Sequence, residues 1–360
     1  MNRRAQSGTK RWPKANAGFS LLELMIALTI GLLLLSGLLT IFASAKQTYT
    51  LNDQLARLQE NGRLAMELLS REIRMTGYWG CTAQTTPVNQ LNSPHSLSWI
   101  INNRLRGYDH LTPGTLAASL QGVALPGSDV IVLTAIDNQP LTITSHDACA
   151  ARFTLAQSHD LQPNELVSVS DCRQTTLFQI IQADGGNRTL THGAAGGSIG
   201  NQSACLGGDC SGNCASAWYQ YAPGTPLSRL RSIAFYIGTG THGEPALFWQ
   251  LLNRGDTLQR NELVQGVANL QILYGRDNDG DRVANHYLTA DAVDAANAWQ
   301  EIVSVRIGLL LQSDDLIRSQ NDNTTYTVAD TAITPVVGTA SHPLDRRLRL
   351  VATSTIQLRD

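Results

Sequence analysis

Apolar and polar positions are distributed unevenly along the chain. Residues 19–45, FSLLELMIALTIGLLLLSGLLTIFASA, carry Glu23 as their single charge, and from Leu24 to Ala45 there is none. A helix rising about 1.5 Å per residue crosses a hydrocarbon core of roughly 30 Å over this length. Beyond Lys46 the pattern becomes amphipathic. Leu51, Leu55, Leu58, Ala65, Leu69 and Ile73 recur at intervals of three, four or seven and share one helical face. Arg57, Glu60, Arg63, Glu67, Arg71, Glu72 and Arg74 fill the polar positions, with Glu67 and Arg71 placed for an i,i+4 ion pair. No proline falls between Pro13 and Pro87, and Gly77 is a natural stop. One helix from about Phe19 to about Thr76 is predicted, on the order of 85 Å long.

From Cys81 onward, short apolar runs alternate with turn signals. Strands are predicted at 129–136, 165–169, 177–181, 233–237, 246–252, 270–274, 302–311 and 347–357, and a short helix at 291–298. Pro126-Gly127, Asp184-Gly185-Gly186-Asn187 and Asn253-Arg254-Gly255-Asp256 mark turns. The fold class is therefore α+β: a long helix against an antiparallel sheet within a β-rich domain over 81–360. Residues 184–215 are small, polar and rich in glycine and cysteine. They are predicted to form a surface insertion, held by disulfides, that separates two lobes.

Composition sharpens this division. With 42% hydrophobic residues the 360-residue chain buries a substantial core, and its net charge of -2 gives no basic excess for nucleic acid. Residues 1–18 hold five basic residues (Arg3, Arg4, Lys10, Arg11, Lys14) and no acid. This flank predicts a cytoplasmic N-terminus and an exported remainder. Cys81, Cys149, Cys172, Cys205, Cys210 and Cys214 all follow the apolar segment, so disulfides are expected, with 15 possible pairings. Ala43-Ser44-Ala45 offers a signal-peptidase match, but the apolar run before it is long for a signal peptide. A plain anchor explains the length and leaves Glu23 without a purpose, because a carboxylate in lipid is costly.

Gly18-Phe19-Ser20-Leu21-Leu22-Glu23-Leu24-Met25, behind a basic leader and before a long apolar run, closely resembles the type IV prepilin motif. The resemblance implies a leader over 1–18 cut between Gly18 and Phe19 by a prepilin peptidase. It also implies N-methylation of Phe19 and retention of Glu23 for assembly. The implied organisation is a transmembrane and assembly helix over 19–45, an amphipathic continuation over 46–80, and a pilin-like exported domain. Further motifs look like the minor pilins of the PilW family. They are Asn61-Gly62-Arg63-Leu64-Ala65, Glu72-Ile73-Arg74-Met75-Thr76-Gly77-Tyr78-Trp79-Gly80-Cys81, Leu263-Val264-Gln265-Gly266-Val267, Ser304-Val305-Arg306-Ile307-Gly308-Leu309-Leu310-Leu311 and Arg346-Arg347-Leu348. That family helps to prime pilus assembly near the filament tip. The partners implied are other minor pilins, the major pilin and a tip adhesin. The implied location is the inner membrane, as a single-pass protein, and then the pilus. A type II secretion pseudopilin shares the N-terminus, and an anchored exported adhesin or binding protein is a third reading. The last cysteine is Cys214, so the C-terminal disulfide loop of a typical major pilin is absent.

No catalytic constellation is present, and no enzyme is expected. The eight histidines are scattered, and His192–Gly200 lacks the Lys-Ser/Thr end of a phosphate-binding loop. Cys205, Cys210 and Cys214 are loosely spaced as zinc ligands, but disulfides are favoured in an exported domain. Asp277-Asn278-Asp279-Gly280-Asp281 alternates as in the first half of a calcium loop, with glycine out of place and Leu288 at the twelfth position. Calcium on Asp277, Asp279 and Asp281 is one reading and a solvated turn the other. No other cofactor is implied.

Overall fold

A computed structural model describes residues 20–80, 87–92, 104–109, 120, 123–194, 200–253 and 257–359. Gly18, Phe19 and Cys81 lie outside them. Helix α1 (Leu21–Met75) is continuous. The chain divides into two units, Met1–Asp53 and Gln54–Asp360. In the first, the apolar side chains from Leu21 to Phe42 are solvent-exposed. Thr29 and Ser36 return their hydroxyls to the carbonyls of Ile26 and Leu33, both at 2.8 Å. Their polar groups are thus satisfied within the helix, as a lipid environment demands.

In the second unit the buried face of α1 runs through Gln54, Leu58, Gly62, Ala65, Leu69 and Ile73. The predicted stripe is displaced at its start, because Leu51 is exposed and Gln54 is buried in its place. Gln54 is accommodated by donating to Asp315 Oδ2 at 3.1 Å. The predicted Glu67–Arg71 pair does not form. Arg63 approaches Glu60 at 2.8 Å and Glu67 at 3.5 Å, and Arg71 turns to Glu72. The helix ends at Gly77, whose φ of +77° opens the left-handed region to the chain.

Among the described residues eighteen strands follow, with one short helix and one 3-10 turn among them. They begin with β1 (Val88–Asn89), β2 (Leu105–Tyr108), β3 (Val130–Ile136), β4 (Leu141–Asp147), β5 (Arg152–Leu155) and β6 (Leu166–Ser170). β7 (Thr175–Gln179), β8 (Gln182–Asp184), β9 (Thr189–Thr191), β10 (Pro226–Thr239), β11 (Pro245–Asn253) and β12 (Thr257–Gln265) come next. The last are β13 (Val267–Arg276), β14 (His286–Leu288), β15 (Ile302–Gln312), β16 (Tyr326–Val328), β17 (Thr331–Ile333) and β18 (Arg349–Gln357). α2 (Ala290–Ala295) precedes β15.

The antiparallel sheet β14-β13-β15-β18 carries the main core. Leu58, Ala65, Leu69 and Ile73 pack in one cluster with Leu270, Ile272, Val305, Ile307, Leu309 and Ile356. Gly62 lets the helix come close here: a Cβ would stand 2.7 Å from Leu311 Cδ1, which would have to shift. The layout is an α+β, pilin-like one.

The second sheet is organised by β10. Its residues Leu227–Arg229 pair with β6, and its residues from Leu230 to Phe235 pair with β3. β11 joins on its other side. The chain between β3 and β10 builds a separate lobe, whose core includes Ile143, Phe153, Val167, Phe178, Leu190 and Leu227. Cys149–Cys214 and Cys205–Cys210 are disulfides, and Cys172 is disulfide-bonded as well. Zinc ligation by Cys205, Cys210 and Cys214 is thereby excluded. The glycine- and cysteine-rich segment also differs from its expected character as surface. Cys205 and Leu206 are buried, and Leu206 belongs to the lobe core.

Candidate functional site

The first candidate is the start of α1. Ser20-Leu21-Leu22-Glu23 forms a capping box. Leu22 N–H donates to Ser20 Oγ at 3.2 Å, and Ser20 N–H donates to Glu23 Oε2 at 3.0 Å. Glu23 is therefore employed within a single chain, closing the helix end and opposing the positive pole of its dipole. The S-x-x-E spacing was visible in the sequence, but the apolar context drew the reading toward an intermolecular role. Beyond Glu23 the apolar window of α1 has no buried share, a surface that calls for lipid or for other helices.

The second candidate is the turn between β13 and β14, where Asp277, Asp279 and Asp281 bring carboxylate oxygens within 4.8 Å of one another. Oxygen donors of this kind suit calcium. The turn, however, draws on the same carboxylates. Asp277 Oδ1 accepts from the amides of Asp279 (3.1 Å) and Gly280 (2.7 Å), and its Oδ2 from that of Arg282 (2.7 Å). Asp281 Oδ1 accepts from Val283 N–H, and Asp279 Oδ2 from Asn285 Nδ2. Burial works to raise the Asp277 pKa, but the amides of Gly280, Arg282 and Asp279 outweigh it and hold it below the ordinary carboxylate value. The geometry is that of a turn closed on its own donors.

A third cluster went unseen in the sequence because its members are far apart. His146 and His192 meet inside the lobe, Nε2 to Nε2 at 3.1 Å, among Phe153, Phe178 and Tyr221. His146 Nδ1 accepts from Tyr221 N–H, so its proton sits on Nε2 and is donated to His192 Nε2. That leaves the His192 proton on Nδ1, buried beside the backbone of Ala204 and of His192 itself. Burial lowers the pKa of His146 to about 4, against a smaller opposing effect of Asp147. Burial and then the neighbouring His146 lower that of His192 to about 3.

The N-terminal signal, the apolar helix and the helix-on-sheet core define a type IV pilin-like protein. Comparison with known families agrees. The family model described as Prokaryotic N-terminal methylation motif matches residues 13–39, and that described as Type IV Pilus-assembly protein W matches residues 234–360. Together these matches support a type IV pilin of the PilW family. The second match covers β11 to β18 and the end of β10 from Ala234, whereas the lobe from β4 to β9 falls outside both. No curated protein and no solved structure matches the chain. The matched families describe structural assembly, and the motif with its apolar helix fits a membrane-anchored pilin.

Proposed function

We propose that the protein is a minor pilin that helps to prime type IV pilus assembly and sits near the filament tip, without enzymatic activity. The observation that carries this reading is the pairing of a methylation-motif N-terminus with a PilW-type sheet on one chain. Cleavage between Gly18 and Phe19 would create a positive amine four residues before Glu23. In a packed bundle, Glu23 of one subunit then exchanges its capping bond for Phe19 of a neighbour. Such a pair fixes helix register more than it adds stability, because desolvation offsets much of the attraction. The apolar surface lost to lipid on leaving the membrane is covered by the helices of the major pilin and other minor pilins. The exported domain then faces other minor pilins or a tip adhesin.

Gene deletion tests the reading. Loss of surface pili and twitching supports it, whereas loss of secreted proteins with intact pili assigns the chain to a type II secretion system. Mass spectrometry of the mature protein provides the second test, with an N-methylated Phe19 expected at its start. Cleavage after Ala45, or an uncut leader, would remove the basis of the proposal.

A further inference from the structure

Past the end of α1 the chain stays bound to the domain. Gly77 N–H donates to Thr134 O at 2.9 Å, and Ile136 N–H donates to Tyr78 O at 3.1 Å, so this segment is tied to the end of β3 by two backbone bonds. Asp137 N–H donates to Arg229 O at 2.8 Å and ties the turn after β3 to β10. Beside these ties lies an open cavity of about 250 Å³.

Its floor is a pair of facing strands carrying small side chains. Ser168 of β6 stands opposite Ser228 of β10 in register, with Ser170 two residues along. Tyr78, Trp79, Asp137 and Asn138 also line it. Tyr78 is 44% exposed, so its ring is available to an occupant. Ser168 is 2% exposed, and its Oγ has no hydrogen-bond partner. That oxygen is sealed from solvent, so polar contacts to an occupant fall to the more accessible Asp137 and Asn138.

The chemistry of the walls narrows the occupant. β6 is paired on both sides, with β7 and β10; β10 is paired with β6 over Leu227–Arg229, and on its other side with β4 at Pro226 and Leu227 and with the Asp137 amide at Arg229. No free strand edge is offered to a peptide backbone, so recognition falls to side chains. The acidic Asp137 disfavours phosphate and other anions. The volume is below the roughly 300–1,000 Å³ of sites for drug-sized ligands and suits a single ring. One aromatic face, one carboxylate and one amide suit a ring with an apolar face and hydroxyls at its rim. We propose that this cavity binds one pyranose unit of a glycan, with the ring against Tyr78 and its hydroxyls on Asp137 and Asn138.

The test uses the mature full-length protein in a zwitterionic detergent that carries no sugar headgroup. Methyl glycosides of glucose, galactose, mannose and N-acetylglucosamine are the probes, read by saturation-transfer NMR and calorimetry. At least one is expected to bind. Tyr78→Ala and Asp137→Asn should each weaken it about tenfold, a change of about 1.4 kcal/mol, without lowering the melting temperature. Tyr78→Phe should retain binding. Failure of all four glycosides to bind overturns the proposal, as does binding indifferent to both Tyr78→Ala and Asp137→Asn. Binding of a peptide that Tyr78→Ala abolishes, with no glycoside bound, assigns the cavity to peptide and overturns it equally.

Discussion

Acidification should loosen the lobe through His146 and His192, and the size of the effect follows from their surroundings. Both rings are neutral in the fold, with pKa values lowered to about 4 and about 3. In the unfolded chain each titrates near about 6.5. Below that value unfolding takes up protons, so stability is complete at neutral pH and is lost as pH falls toward the folded values. At pH 5 each histidine lies about 1.5 pH units below its unfolded pKa and is still neutral when folded. Each then contributes a loss of about 2 kcal/mol, or about 4 kcal/mol for the pair. The hydrogen bond between them works in the same direction, since one Nε2 must stay unprotonated to accept. Urea unfolding of the mature protein in detergent at pH 7 and pH 5 measures the difference through the shift in midpoint. Replacing both residues by glutamine should flatten the dependence between these pH values. Equal midpoints for the unmodified protein, or the same slope in the double variant, would refute the reasoning.

Three other expectations follow from particular contacts. Glu23→Ala removes the capping box, costs the start of α1 about 1 kcal/mol, and should leave membrane levels unchanged while reducing the protein in sheared filaments; equal incorporation would remove Glu23 from assembly. Because the turn at Asp277, Asp279 and Asp281 supplies its own donors, the melting temperature should be the same in calcium and in chelator, and a rise that Asp279→Ala abolishes would establish a cation site instead. Arg349 and Asp322 are both fully buried and paired at 3.3 Å, with Asp345 at 2.7 Å from the same guanidinium; Arg349→Ala should cost about 3–5 kcal/mol in urea unfolding, and a loss below about 1 kcal/mol would show that water reaches Asp322.

The N-terminal helix was legible because its signals are local. A long apolar run, a change to amphipathic period and a glycine stop are enough to place α1 within a residue or two of its ends. β15 was legible for a similar reason: as a central strand between β13 and β18 it is apolar on both faces. β12 was not, because it pairs only with β11, and TLQRNELVQ reads as a polar edge. β10 was predicted at 233–237 and begins at Pro226. Its early part carries Arg229 and Arg231, whose charges are neutralised by residues distant in sequence. Arg229 pairs with Asp160 and Glu165, and Arg231 approaches Glu72. The glycine- and cysteine-rich segment misled because composition does not reveal that disulfides hold Leu206 against a core. Of the candidate sites, the Glu23 motif was plain and the His146–His192 contact was not, since only the folding of β4 and of the chain after β9 brings those rings together.

The way the lobe is attached has a mechanical consequence. The chain enters it along β3 and returns along the neighbouring β10, in register over six residue pairs from Leu230↔Ile136 to Phe235↔Ile131, and β1 adds a further tie by pairing with β7. A pull on the lobe along β3 and β10 draws both the same way and loads sideways the hydrogen bonds that β3 makes with β2 and β10 makes with β11. They must then give way together, whereas a pull across the strands would open them one at a time. β11 on the other flank of β10 shares that load over residues Ile233 to Thr239. Within the lobe, the Cys149–Cys214 link takes 65 residues of chain out of any extension. A lobe built in this way withstands traction along β10 and remains attached under tension.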